Sequence, residues 1–242
     1  MKNILIPTTL KHDTLKAVRA VVKNVREDNI KIVLLMLSEM PDGITDLLFS
    51  SKSGAETSVK EQKVLDECRN FVAEFDQVSL QVHHQYGMSG PLLRNIMNHH
   101  TIGLTVLTPS YKNETGSIHK QAVKSLLNSK CPILHIPERV TELALDQAIY
   151  VDNSPSHISM EDIQHMLNKD FAIRVVSQAK LMEGQRTEDL TPELVETIEK
   201  NNINLLVETR KPERKGWGAT KVVEQVSLAE KLGVPVLSLI DN

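Results

Sequence analysis

A glycine-containing stretch near the C-terminus has the composition of an anion-binding loop. Gly216, Gly218 and Thr220 stand just before a segment with helical spacing, and four basic residues fall between positions 210 and 215. Glycines let backbone N–H groups approach a phosphate, and the start of a helix adds positive potential. The stretch therefore indicates a site for a phosphate or another acidic ligand. The alternative is a solvated loop in which Thr220 caps the following helix.

Four of the nine histidines form two adjacent pairs, His83-His84 and His99-His100. Neighbouring residues on a strand point to opposite faces, so one pair alone cannot readily chelate one metal ion. A site would need one member of each pair plus a carboxylate, and no HExxH-type spacing accompanies them. We therefore predict surface or strand-end histidines and no metal. If the pairs do face each other, a weak zinc site or a pH-sensing site is the alternative.

The remaining reactive side chains do not form a recognisable catalytic set. Cys68 and Cys131 lie far apart and form no CxxC motif. We expect both to be small buried hydrophobic residues in a reducing compartment. No GxSxG nucleophile motif occurs. We therefore predict that the chain is not an enzyme; a hydrolase or adenylyl-transfer activity is the alternative, and fold alone cannot support it.

The composition argues against several classes of protein. The 242 residues carry a net charge of -3, and only 3% of them are aromatic. A nucleic-acid-binding surface needs a basic excess, and stacking on single strands needs aromatic side chains. No run of about 18 apolar residues is present to span a membrane. We expect a cytoplasmic protein that binds neither nucleic acid nor membrane.

Short apolar runs alternate with segments of helical period along the whole chain, which is typical of a parallel sheet covered by helices. Five strands are predicted in the first part, at residues 3–7, 32–37, 78–82, 102–107 and 133–136. Four more are predicted in the second part, at residues 148–151, 171–176, 203–207 and 236–239. We therefore predict an α/β domain over residues 1–138 and a smaller one over residues 147–242.

The two parts are similar to each other in sequence. Residues 102–106 match residues 203–207, and residues 131–134 match residues 234–237. The first and fourth strands are 98 positions apart in the first part (4 to 102) but only 54 apart in the second (149 to 203). The second copy is therefore expected to lack the long helix and the third strand of the first.

The first part resembles the universal stress protein superfamily. The resemblance lies in residues 3–8 (NILIPT), in residues 87–107 and in residues 129–137 (SKCPILHIP), and it extends more weakly over the second part. It implies a tandem chain of two Rossmann-like, adenine nucleotide alpha hydrolase-like units with strand order 3-2-1-4-5, the second truncated and degenerate. It also implies that the two units pair internally through their last strands, and it leaves a homodimer open.

The ATP-binding members of this family carry a Gly-two-Gly-nine-Gly-Ser loop after strand four and an Asp after strand one. In this chain the loop is residues 108–117 (TPSYKNETGS), and the first two glycines are absent. Gly116-Ser117 comes three positions before the family's Gly-Ser, whose place is taken by residues 119–120, and Thr9 stands in the place of the Asp. These departures predict that the first unit does not bind ATP in the family's manner.

The second unit keeps more of the family's pattern, because Asp152 and Ser154 follow its first strand in the Val-Asp-x-Ser form. Together with Gly216, Gly218 and Thr220 they are the candidate cofactor-binding residues, for ATP, AMP or another anionic ligand. The resemblance thus implies a stress-response protein that acts by binding and association and needs no cofactor. The alternative is a nucleotide or anion sensor in which Asp152 meets the ribose or the base.

Overall fold

The computed structural model describes residues 3–24, 29–40, 58–138, 144–152, 159–171, 173–180, 191–210 and 229–240. Strands and helices alternate along the first unit, as the sequence predicts. Its elements within these ranges are β1 (Asn3–Pro7), α1 (Asp13–Asn24), β2 (Ile30–Ser38), α2 (Val59–Val72), β3 (Val78–Tyr86), α3 (Gly90–His99), β4 (Ile102–Leu107), α4 (Pro109–Lys112), α5 (Ser117–Leu127) and β5 (Ile133–His135).

The second unit repeats this alternation with fewer elements. Those within the described ranges are β6 (Gln147–Asp152), α6 (Met160–Asp170), β7 (Arg174–Lys180), α7 (Thr191–Lys200), β8 (Leu205–Arg210) and β9 (Val236–Ile240). The predicted loop at residues 41–55 lies outside the described ranges.

Local signals start the helices. At α2, for example, Ser58 and Glu61 form a reciprocal capping box.

All nine described strands form one sheet in the order β3-β2-β1-β4-β5-β9-β8-β6-β7. The first five have the order 3-2-1-4-5 and run parallel, which confirms the predicted fold class. The described strands of the second unit follow the same order, with no counterpart of β3 among them. Strands β5 and β9 run antiparallel side by side, with Leu134 opposite Leu237. One continuous sheet therefore crosses from the first unit to the second.

Strand β7 lies at one end of the described sheet. It takes the place of β2 in the order, and no described strand lies beyond it, so β7 is the edge of the described sheet. Its side chains alternate between exposed and half-buried, whereas those of β2 are mostly buried. The strand predicted at residues 171–176 therefore lies three to four residues later, at residues 174–180: the prediction followed an apolar run, whereas the observed strand is exposed at alternate positions.

The core differs between the two faces of the sheet. On one face a single apolar cluster runs through both units, beneath α1, α2 and α6, and includes Leu34, Leu134 and Leu237. On the other face the first unit's cluster, around Leu107 and Ile133, and the second unit's cluster, around residues 149–206, are separate. Polar side chains lie between these two clusters at the meeting of the units, and they are described below.

We predict that Leu237→Ala lowers the free energy of unfolding by about 2–5 kcal/mol, because it leaves a cavity in the cluster shared by both units. Leu237 is 1% exposed and lies opposite Leu134. Chemical denaturation followed by circular dichroism measures the change. Val59→Ala, at a side chain that is 89% exposed, is the control and should change stability by less than about 0.5 kcal/mol. Equal denaturation midpoints for the two variants would contradict a shared core.

Candidate functional site

The first candidate site lies between β1 and β4. In a doubly wound sheet ligands bind beyond the carboxyl ends of the strands, where the strand order reverses. Strands β1 and β4 are parallel neighbours at that point. The segments that follow them, residues 8–12 and 108–116, therefore form the mouth of this crevice.

The segment after β4 is not an open phosphate-binding loop. Thr108 caps the short helix α4, accepting a hydrogen bond at Oγ1 from the Tyr111 N–H, and Pro109 occupies the first turn. The N–H groups of Lys112 and Asn113 donate to the carbonyls of Thr108 and Pro109, each at 3.0 Å. Backbone donors that a phosphate would need are thus already used inside the helix.

A carboxylate of the protein itself occupies the start of α4. The Ser110 N–H donates to Oδ2 of Asp13 at 2.8 Å, and the Ser110 hydroxyl donates to Oδ1 at 2.5 Å. Asp13 begins α1 and is 5% exposed. The carboxylate of Asp13 therefore interacts favourably with the positive end of α4, and it belongs to the protein itself. It would also repel a phosphate.

A second carboxylate ties the two segments together at Thr9, the position where the family resemblance calls for Asp. The Thr9 hydroxyl donates to Oε1 of Glu114 at 2.9 Å, and Lys11 Nζ donates to the same oxygen at 2.5 Å. The bond from Lys11 is the main reason that the pKa of Glu114 lies below its usual value. Glu114 is therefore ionised at neutral pH, and it bridges the crevice with a negative charge.

Of the five candidate residues in the second unit, only Asp152 lies within the described ranges. It ends β6, next to β8, at the equivalent switch point. The other four candidates, Ser154, Gly216, Gly218 and Thr220, lie outside the described residues. The proposed grouping of Asp152 with the glycine-containing stretch therefore stays a prediction.

Arg210, one of the four basic residues assigned to the anion-binding stretch, is used in a different way. Its guanidinium lies across the junction of the units and donates to the carbonyls of Leu127, Ser129 and Cys131 in the first unit. Arg210 is 6% exposed. A cation at the end of α5 satisfies carbonyls that the helix leaves unpaired. The prediction that Arg210 belongs to an anion-binding loop was wrong, because the residue is the last one of β8 and its side chain is buried.

Arg210 belongs to a buried polar group between the two units that sequence reasoning missed. We call it the polar junction and define it as His135, Glu208, Arg210 and Ser238. All four side chains are buried, and they lie on the sheet face that is apolar in the neighbouring strands. The signal in the sequence was the polar run at residues 208–210 that directly follows the apolar residues 205–207. Strand β8 was predicted to end at residue 207, but it continues to Arg210 with charged residues at both inward positions.

Burial acts in opposite directions on the two titratable groups in the middle of the polar junction. It raises the pKa of Glu208 to about 7, although Ser238 donates a hydrogen bond to Glu208 at 2.7 Å. It lowers the pKa of His135 to about 3, with nearby Lys112 and Arg210 contributing. Neither ring nitrogen of His135 has a hydrogen-bond partner within the described part of the chain. His135 is therefore neutral at physiological pH.

Lys112 and Glu230 form an ion pair beside the polar junction. Lys112 Nζ lies 3.8 Å from Oε1 of Glu230, and the Lys112 side chain is only 3% exposed. The other carboxylate oxygen of Glu230 accepts a hydrogen bond from the Glu138 N–H at 3.1 Å. The helix that closes the crevice of the first unit is thus also tied to the second unit.

The two histidine pairs do meet, through one member of each. His83 Nδ1 lies 3.1 Å from His100 Nε2, and the two rings pack edge to face. His100 is 5% exposed, so the expectation of surface histidines was wrong for this residue. No set of three or more His, Cys, Asp or Glu side chains converges on a metal position within the described ranges. Cys68 and Cys131 are both buried and neither forms a disulfide, as predicted.

We predict that the free energy of unfolding of the wild type falls as the pH rises, and that this fall is absent in Glu208→Gln. The unfolded carboxyl ionises near 4.5 and the folded one near 7, so the folded state binds more protons between these values. Stability is therefore full below about pH 4.5 and falls through pH 7, by an amount on the order of 3 kcal/mol. Gln keeps an acceptor for Ser238 without a charge to bury.

Urea denaturation of both proteins between pH 4.5 and 8 measures this difference. The variant should match the wild type at the acid end and exceed it at pH 8. Comparing the two proteins cancels the contribution of His135, whose slope has the opposite sign. Glu74→Gln, at an exposed carboxylate, is the control. A wild type that remains the more stable at pH 8 would mean that Glu208 is ionised and well compensated.

No helix within the described residues is long and apolar enough to cross a membrane.

No protein-family model matches the sequence, and none of the curated proteins matches it. Solved structures do match the fold. A universal stress protein from Archaeoglobus fulgidus DSM 4304 is 13% identical with a TM-score of 0.60, and the match covers 99% of this chain and 96% of that one.

Two structures from Pseudomonas aeruginosa are also similar. A universal stress protein candidate from strain UCBPP-PA14 is 13% identical with a TM-score of 0.53, covering 99% of this chain and 93% of its own. A protein of unknown function from strain PAO1 is 12% identical with a TM-score of 0.51, covering 100% and 93%. At these identities the likeness is one of fold. The chain has the tertiary fold seen in universal stress protein structures, over its whole length.

Proposed function

We propose that this chain is a stress-response protein that works by association rather than by catalysis, and that its first unit does not bind ATP. The observation that carries the proposal is the closed crevice between β1 and β4. Asp13 binds Ser110, and Glu114 binds Thr9 and Lys11, so two carboxylates join the segments that a nucleotide would have to separate.

The arrangement of the units supports the association part of the proposal. A sheet of strand order 3-2-1-4-5 ends in an open edge at β5, and an open edge is a place where another chain can pair. Here β9 of the same chain lies along that edge. We propose that the second unit serves as a built-in partner, so that one chain provides the continuous sheet of a dimer. The free surfaces of that sheet would then carry the interactions of the protein.

We predict that ATP at millimolar concentration leaves the backbone amide signals of residues 108–116 unchanged in nitrogen–proton correlation spectra. Releasing these amides would break the turns of α4 and the bonds of Asp13 and Glu114, and a triphosphate would meet both carboxylates. A native mass spectrum of the purified protein provides a second readout, of bound small molecules and of stoichiometry. Micromolar ATP binding that shifts these amides would refute the proposal.

A second candidate function is nucleotide or anion sensing by the second unit. The observation that favours it is the place of Asp152, at the carboxyl end of β6 beside β8. By strand register this switch point has a carboxylate where the first unit has Thr8. An Asp at such a position is suited to accept hydrogen bonds from a ribose or a base.

For this candidate we predict that ATP raises the melting temperature of the wild type and not that of Asp152→Ala. Ligand at 100 times its dissociation constant adds about 2.7 kcal/mol to stability, or roughly 5 °C or more for a chain of this size. Asp76→Ala, at an exposed carboxylate of the first unit, is the matched control and should keep the full shift. Absence of any shift in the wild type would exclude sensing of ATP.

A further inference from the structure

The turn between α3 and β4 has an unusual backbone conformation that the surrounding residues hold in place. Thr101 has a φ of 52°, in the left-handed region that a β-branched residue rarely adopts. Such a conformation persists only where the neighbouring structure fixes it. The Thr101 N–H donates to the Asn98 carbonyl at 3.1 Å. The side-chain amide of Asn3 donates to the His100 carbonyl at 2.6 Å, so the turn is tied to the end of α3 and to the start of β1.

A contact between two side chains ties the same turn to β3. Nε2 of His100 lies 3.1 Å from Nδ1 of His83, and the two ring planes are inclined at 87°. A hydrogen bond between two imidazoles requires one nitrogen that carries a hydrogen and one that carries a free lone pair. His100 is 5% exposed, so water has little access to replace this bond. The contact therefore depends on the protonation state of the pair.

We propose that the His83–His100 pair is an acid-sensitive contact, which holds the turn between α3 and β4 against β3 at neutral pH and releases it when both rings are protonated. A pair that has gained one proton still presents one N–H to one lone pair. A pair that has gained two protons presents an N–H on each facing nitrogen and places two like charges side by side. Neither ring can then accept a hydrogen bond, and the strained turn loses one of the contacts that fix it.

The groups around the pair strengthen this response. Among the described residues, those that act electrostatically on the two rings are His84 from β3, His99 from α3 and Lys31 from β2, and all of them carry or can gain positive charge. The ring of His99 packs edge to face on that of His100, with centroids 4.8 Å apart. Removal from water lowers the pKa of both rings, and these neighbours lower it further, whereas a hydrogen bond with Gln85 acts on His83 in the opposite direction.

The sign of the response follows from these shifts. In the closed turn the pKa of each ring lies below its ordinary value of 6.5, to which it returns when the ring is released into water. The open state therefore binds more protons than the closed state. The closed turn is fully stable above about pH 6.5 and loses stability as the pH falls below that value.

The position of the turn gives its release a structural consequence. The turn leads directly into β4, which pairs with β1 and whose other end carries the closed crevice. Acidification thus changes the first unit at the opposite end of the same strand. A local change driven by protons is an input that a stress-response protein can use without a nucleotide. This use of the contact rests on the proposed function, whereas the contact itself does not.

Amide hydrogen exchange of the full chain at pH 7.5 and at pH 5, with each rate corrected for its intrinsic pH dependence, tests the proposal. The probes are the amides of His100 and Thr101, which donate to carbonyls at the end of α3. Their protection should fall by at least about tenfold at pH 5, since each pH unit in the window favours the open turn by up to about tenfold for each proton gained. The amide of Ala73, at the equivalent position after α2, is the internal control and should keep its protection.

His83→Gln should abolish the acid response, because Gln does not titrate and can still accept a hydrogen bond from His100. His84→Gln is the matched control, since His84 is exposed and lies one position along β3, on the opposite face. It should respond as the wild type does. An acid response that persists in His83→Gln, that disappears in His84→Gln or that is absent from the wild type would each overturn the proposal.

An equal loss of protection at Ala73 would also overturn it, because the wild type would then be unfolding as a whole in acid. The comparison of Thr101 with Ala73 in the wild type decides the question even if a variant does not fold. None of these outcomes depends on nucleotide binding or on association, so the proposed function can fail while the acid-sensitive contact stands.

Discussion

The antiparallel pairing of β5 with β9 is the constraint on which the rest of this structure depends. It joins two parallel half-sheets of unequal size into one sheet of nine described strands. Only three residues of β5 take part, so the pairing itself supplies few backbone hydrogen bonds. Side chains must therefore stabilise the junction, and they do so differently on the two faces.

On one face the stabilisation is hydrophobic. Leu134 and Leu237 belong to a single cluster that passes through both units. On the other face the polar junction separates two apolar clusters, and Arg210 spans it to reach three carbonyls of the first unit. Hydrophobic contacts tolerate sliding, whereas a buried guanidinium must meet specific carbonyls. The polar face thus specifies which surfaces meet and in what register, a role that buried polar groups can serve at the expense of some stability.

The same junction is connected to the closed crevice. Helix α4 uses its backbone donors internally, receives Asp13 at its start, and sends Lys112 to Glu230 in the second unit. A segment that in a nucleotide-binding protein would adapt to phosphates is here part of the contact between units. The closed crevice and the internal pairing therefore share a structural cause, which is why we propose association and not ATP binding for the first unit.

Much of the fold could be predicted from the sequence. Runs of apolar residues and helical spacing identified the strands of the first unit, because periodicity and length are local properties. The shorter interval in the second unit predicted that it lacks a third strand, and no described strand lies beyond β7. The absence of glycines after β4 likewise predicted that the segment lacks the family's glycine-rich loop; the segment forms the short capped helix α4. The bounds of β7 and β8 were less accurate, since an edge strand and a polar-ended strand do not carry the pattern of a buried one.

The sequence by itself determined the alternation of elements and the lack of glycines after β4, since each of these depends on residues close together in the chain. The tertiary structure decided which distant groups meet. Arg210 contacts carbonyls about 80 positions away, and His83 meets His100 rather than its own neighbour. Such contacts depend on strand order and register, which bring side chains together without leaving a local signature in the sequence.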